Sequence, residues 1–130
     1  MRSLAPTFSS PAAVILIAAL PAAQAQTSSD AGQIAYNNAC RTCHSIREGD
    51  NRLGPSLYGI VGKKAGTVSG YDSSPAMQQS GVVWDEENLD KFITDPEQVV
   101  HGNAMKPFGG ISSEDERQKI ISHLKSAGGK

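Results

Sequence analysis

Five consecutive residues, Cys40-Arg41-Thr42-Cys43-His44, carry most of the chemistry this sequence can do. Two thiols three positions apart sit close together on one turn. They can add to the two vinyl groups of a single porphyrin, and the histidine that follows is then held against the iron as an axial ligand. The chain has 2 cysteines and both are here. The same thiol spacing serves thioredoxin-like redox pairs, but those need a βαβ context that this pattern lacks. A zinc site needs about four ligands, and two thiols with one adjoining histidine are too few. The motif therefore reads as a covalent attachment site for one haem c, with Cys40 and Cys43 as the thioether positions and His44 on the iron.

The elements that must position this motif begin after an export signal. Residues 1–25 read as a secretory signal peptide: Arg2 at the start, an apolar run over 12–20, and Ala23-Gln24-Ala25 as the small-residue cleavage site. The run is short for a membrane span, and Pro21 with the small residues after it favours processing over retention as an anchor. No cysteine lies near the cleavage site to take a lipid. Cleavage after Ala25 leaves one domain, 26–130, in the periplasm. Loss of Arg2 leaves 11 basic against 13 acidic side chains, a formal charge of −2, which is no basis for nucleic-acid binding. No other long apolar run suggests a membrane span. With few aromatics in a small domain the core is thin, and a flat apolar cofactor would fill it.

Residues 26–30 are polar and read as a loose leader. A first helix is expected from an N-cap at Asp30 to about Asn38, with Gly32 and Tyr36 on one face. Residues 45–81 are rich in glycine and turn chemistry, without strand alternation. A loop of that length wants a packed partner, and a porphyrin edge would supply one. A short helix opens at Pro75. Asp85 caps a helix whose inner face is Leu89, Phe92 and Ile93. Asp95-Pro96 ends it and starts a short successor. Ser113 with Glu116 forms a capping box for a last helix over 114–126, lined by Ile120, Ile121 and Leu124.

In this order the pieces resemble a class I cytochrome c, of the small soluble bacterial type. They are Gly32 with Tyr36, then Cys40–His44, then Gly54-Pro55-Ser56-Leu57-Tyr58-Gly59. After them come Gly81-Val82-Val83-Trp84, then Gly102-Asn103-Ala104-Met105, and last the helix through Glu116 to Lys125. The resemblance implies an all-α fold with N- and C-terminal helices crossing beside the haem, Gly32 at the crossing. It implies a soluble, monomeric carrier of single electrons and not an enzyme, meeting redox-partner proteins at an exposed haem edge. Met105 is the sixth ligand it favours over Met77, His101 and His123. A Met/His pair raises the potential, and two protein ligands leave no open iron position for oxygen activation.

The resemblance also assigns supporting groups. The Pro55 carbonyl accepts a hydrogen bond from His44, which orients the ring and strengthens it as a ligand. The Trp84 indole N–H and the Asn103 amide reach a haem propionate. Lys63 stands where relatives often have arginine, and Phe92 where many have tyrosine. Ser73 replaces a propionate-binding tyrosine for which Tyr71 can compensate. His101 occupies a usual proline position, and the stretch from Met105 to Phe108 is one residue longer than the common form. Basic side chains expected around the exposed edge are Arg41, Lys63, Lys64 and Lys106, with the acidic Asp85, Glu86, Glu87 and Asp90 turned away. Two other classes fit the same motif. One is an electron-accepting subunit of a particular dehydrogenase; the other is a peroxidase-like protein, if Met105 is labile.

Overall fold

In a computed structural model of the chain, residues 22–128 are described, with side chains from residue 27 onward. Most of the expected signal peptide lies outside the described residues. Five helices follow in order: α1 Ala22–Ala39, α2 Pro75–Gln79, α3 Glu86–Thr94, α4 Pro96–Val99 and α5 Glu114–Ser126. Four of them start where capping chemistry places them. The side chains of Ser74, Asp85, Asp95 and Ser113 each accept a backbone N–H from the first turn of the next helix. The exception is α1. Asp30 lies inside it, and the segment 26–30 expected to be a loose leader is helical. Its sequence AAQAQ is rich in strong helix formers, and that propensity outweighs a capping signal further along.

The helices pack around one core. α1 crosses α5, and α3 packs against both α4 and α5. At the α1–α5 crossing Gly32 is buried. A β-carbon there would lie 2.8 Å from the Lys119 carbonyl oxygen and 3.1 Å from the His123 Cβ. The expectation that Gly32 permits close helix approach is met. Around it pack Ala35, Tyr36, Ile120, Ile121 and Leu124, all buried.

One contact has no local signal in the sequence. Arg117 on α5 is nearly buried, its side chain 10% exposed, and its Nε donates to Asp90 Oδ1 on α3 at 2.8 Å. Its Nη1 donates to the carbonyls of Ile111 and Ser112 at 3.0 and 2.9 Å. This guanidinium clamps α3, α5 and the loop before α5 together. A buried arginine is stable only when its donors are so engaged.

The long segment between α1 and α2 forms no helix. It is held by polar contacts: Ser56 Oγ donates to the Arg47 carbonyl at 2.6 Å, and Asn51 Oδ1 accepts from the Ser56 N–H at 2.8 Å. Lys64 pairs with Val83 across one antiparallel bridge. Trp84 is fixed by that pairing, its N–H donating to the Lys63 carbonyl and its carbonyl accepting from Gly62, both at 2.8 Å. The bridge is too short to alternate, so the sequence offered no strand pattern for it. No described helix is long and apolar enough to cross a membrane.

Candidate functional site

The site is built on the end of α1. The Cys40 N–H donates to the Tyr36 carbonyl at 2.8 Å, and the N–H groups of Cys43 and His44 donate to the Cys40 carbonyl at 3.1 and 3.0 Å. The chain thus closes a tight turn carrying both thiols, and neither is in a disulfide. Burial, reinforced by neighbouring Cys43, pushes the Cys40 thiol up to about 11, so it is protonated at neutral pH.

His44 is buried and held from several sides. Its Nδ1–H donates to the Pro55 carbonyl at 2.8 Å, as expected. A carbonyl can only accept, so the proton sits on Nδ1 and the Nε2 lone pair is left free for a metal. Burial lowers the pKa of the ring, the Pro55 bond opposing this in part, and the neutral imidazole is the ligand form. Gly54 sets the ring in place. Its N–H donates to the Cys43 carbonyl at 2.8 Å, and a β-carbon on it would lie 2.3 Å from His44 Cε1. The Tyr36 hydroxyl donates to the His44 carbonyl at 3.0 Å, and burial pushes that phenol up to about 12. This bond from the last turn of α1 to the His44 backbone was not foreseen. A tyrosine eight residues upstream gives no sequence sign of it.

The loop after α4 is organised by a carboxylate that sequence reasoning passed over. Glu97 accepts from the Gly102 N–H at 2.8 Å, from Asn103 Nδ2 at 3.1 Å and from Lys106 Nζ at 2.8 Å, and it pairs with His101 Nδ1 at 2.9 Å. The Lys106 ammonium, with the Gly102 N–H, holds its carboxyl below the usual range. Only the four-residue spacing of Glu97 and His101 could have hinted at this role. Asn103 is buried, and its amide nitrogen also donates to the Val100 carbonyl at 3.0 Å, while its Oδ1 accepts the Met105 N–H at 2.9 Å. Both amide protons are thus engaged within the protein. Asn103 thereby shapes the backbone at Met105.

Of the candidates for a second axial ligand, the two histidines differ most in setting. The His101 side chain is 94% exposed and turned to Glu97. His123 packs against Tyr36 with ring centroids 5.3 Å apart. Met105 and Met77 are partly buried against the core. The indole of Trp84 is buried against Phe92, centroids 4.8 Å apart, which gives Phe92 a packing role. Lys63 Nζ donates to the Tyr58 carbonyl at 3.0 Å, and the Tyr71 hydroxyl donates to the Leu53 carbonyl at 2.8 Å.

Together these groups fit a haem. Two thiols lie on one turn, a neutral imidazole has its far nitrogen fixed, and a thioether stands in a loop held by hydrogen bonds. The Trp84 indole N–H makes no hydrogen bond to another described residue, which leaves it for a cofactor carboxylate.

A family model described as "Cytochrome C oxidase, cbb3-type, subunit III" matches residues 27–124. Cytochrome c2 iso-2 of Magnetospirillum molischianum is 44% identical over 87 residues, covering 67% of this chain and 89% of its own. A cytochrome c of Euglena viridis is 38% identical over 95 residues, covering 73% of this chain and 92% of its own. Among solved structures, cytochrome cH from Methylobacterium extorquens superposes with a TM-score of 0.69 at 38% identity, covering 75% of this chain and 97% of that one.

Proposed function

The chain belongs to the class I cytochrome c family, as an electron-carrying protein and not an enzyme, and from that premise we propose a monomeric periplasmic carrier with iron held between His44 and Met105. The observation that carries the reading is the His44 ring, buried, neutral and oriented by Pro55 with Nε2 left free. Haem c, bound through Cys40 and Cys43, supplies the one-electron couple. The chain's contribution is to hold both axial donors in one place in either oxidation state, which keeps reorganisation small and excludes exogenous ligands. A neutral thioether favours the reduced form. Met105 is supported by the hydrogen bonds that Asn103 and Glu97 lend its loop. Export follows from the segment 1–25, with the mature chain beginning at Gln26.

Intact mass of the purified mature protein should equal the chain from Gln26 plus one haem, allowing for cyclisation of the new terminal glutamine. Haem removed by acid–acetone, or a mass retaining residues 1–25, would count against the attachment or the processing respectively. The oxidised protein should show the weak near-infrared band of methionine-ligated ferric haem. Met105→Ala should abolish that band and admit cyanide readily, while Met77→Ala and His101→Ala should leave it in place. Loss of the band in Met77→Ala, with Met105→Ala unaffected, would overturn the assignment.

Redox partners are proposed to meet the exposed haem edge. Of the basic residues expected there, Lys106 is paired with Glu97. Arg41, Lys63 and Lys64 form no ion pair among the described residues and would provide the positive charge for steering. The acidic group on α3 is also largely neutralised, Glu86 by Lys125, Glu87 by Lys91 and Asp90 by Arg117.

A further inference from the structure

Many charged side chains among the described residues are ion-paired; one group of arginines is only partly so. A cavity of about 340 Å³ opens between α1, α5 and the segment after His44, and three arginines line it: Arg41, Arg47 and Arg52. Arg52 is held by Asp50 at 3.0 Å. Arg41 and Arg47 have no carboxylate partner among the described residues, although both are exposed and able to move. Two guanidinium groups lining one concavity repel each other, and an anion between them relieves that repulsion.

The opposite wall offers neutral donors. Gln33 and Asn37 lie four residues apart on α1, so their amides share one face, and both line the cavity. Neither side chain hydrogen-bonds another described residue. His123 also lines it, and its Nε2 is buried with no hydrogen-bond partner, the one such side-chain atom among the described residues. An unpartnered buried ring nitrogen costs about 1–3 kcal/mol unless a ligand or water completes it. No carboxylate is among the lining residues; Asp50, which lies nearby in the chain, is paired with Arg52 and also feels the charge of Arg47.

We propose that this basin is a binding site for a small phosphate-class oxyanion, held by the Arg41 and Arg47 guanidiniums with amide donors from Gln33 and Asn37. Tetrahedral dianions match such a set: guanidinium forks bind two oxygens each, and amide donors reach the remainder. A carboxylate, with two oxygens and one charge, satisfies only half of it. The volume exceeds that of phosphate alone, so a phosphate ester with a small organic substituent also fits. The site is independent of the identity of the sixth iron ligand.

The test is titration of the reduced holoprotein with inorganic phosphate at constant ionic strength, chloride balancing the salt, followed by two-dimensional NMR. Saturable shifts confined to the side-chain amides of Gln33 and Asn37 and the ring of His123 are expected. Arg47→Gln should weaken the fitted affinity about tenfold, as loss of one charge-assisted pair implies. Gln33→Glu should abolish binding by placing a carboxylate in the basin, while an unchanged haem spectrum shows that the variant is folded. Acetate should bind at least tenfold more weakly than phosphate. Unsaturable shifts, shifts equally produced by chloride, or affinity unchanged in both variants would overturn the proposal. Equal binding of acetate would overturn its phosphate class and leave a surface for a partner's carboxylates.

Discussion

Gly54→Ala is expected to cost this protein about 4 kcal/mol of stability and to dislodge the His44 ring from its anchor. The position has no positive backbone angle to explain its glycine. The reason is space. A β-carbon would sit 2.3 Å from Cε1, 2.7 Å from Nδ1 and 2.9 Å from Nε2 of His44, inside the contact distance of every ring atom named. The ring must shift, and the 2.8 Å bond to Pro55 shifts with it. Overpacking alone costs about 1–3 kcal/mol, and a broken buried hydrogen bond adds roughly as much again. Losing that bond also weakens the imidazole as a donor to iron. The check is threefold: thermal unfolding, the yield of haem-loaded chain, and the His44 Nδ1–H proton resonance. Gly109→Ala is the control, because nothing lies within 4 Å of a β-carbon there. Wild-type stability in Gly54→Ala, with the Nδ1–H resonance unmoved, would show that the ring is not confined as described.

Gly32→Val is expected to destabilise the fold by about 3 kcal/mol, lowering the thermal midpoint by roughly 10–20 °C. The Cβ alone would approach the Lys119 carbonyl oxygen to 2.8 Å. That atom is backbone in the middle of α5 and cannot rotate aside. The two helices would have to separate, and burial of Tyr36, Ile120 and Leu124 would be lost in part. Replacing glycine in a helix ordinarily gains up to about 1 kcal/mol, so a net loss isolates the crossing as the cause. Ile34→Val, two residues along on the exposed face at 59% exposure, should change stability by less than about 0.5 kcal/mol. Far-UV circular dichroism melts of the two variants decide the matter. A midpoint for Gly32→Val within a few degrees of wild type would mean that α1 and α5 do not pack as closely as the structure shows.

Local chemistry made much of this protein legible before any fold was known. Cys40, Cys43 and His44 are adjacent, so their joint purpose needs no tertiary information. Asp85, Asp95 and Ser113 cap helices through atoms two or three residues away, and all three were readable for that reason. The start of α1 was misread because residues 22–25 were assigned to the signal peptide and 26–30 to a loose leader, and the helix propensity of AAQAQ was not weighed.

Tertiary structure decided whatever depends on residues far apart in the chain. Arg117 finds Asp90 across 27 positions, and no periodicity announces such a pair. Tyr36 reaches the His44 carbonyl only because the chain turns back at Cys40. Glu97 became the hub of the Met105 loop through four partners that the sequence presents as ordinary polar residues. Of the histidines weighed as ligands, His123 read as packing and His101 as the stronger competitor to Met105. His101 proved exposed and paired with Glu97, His123 wedged against Tyr36 with its Nε2 unsatisfied. The basin of arginines is the extreme case. Its members come from α1, from the haem-attachment turn, from the segment after it and from α5, and only folding brings their charges to one place. Spacing along a chain sets chemistry within a turn of helix. Burial, and which charge meets which, are set by the packing of whole elements.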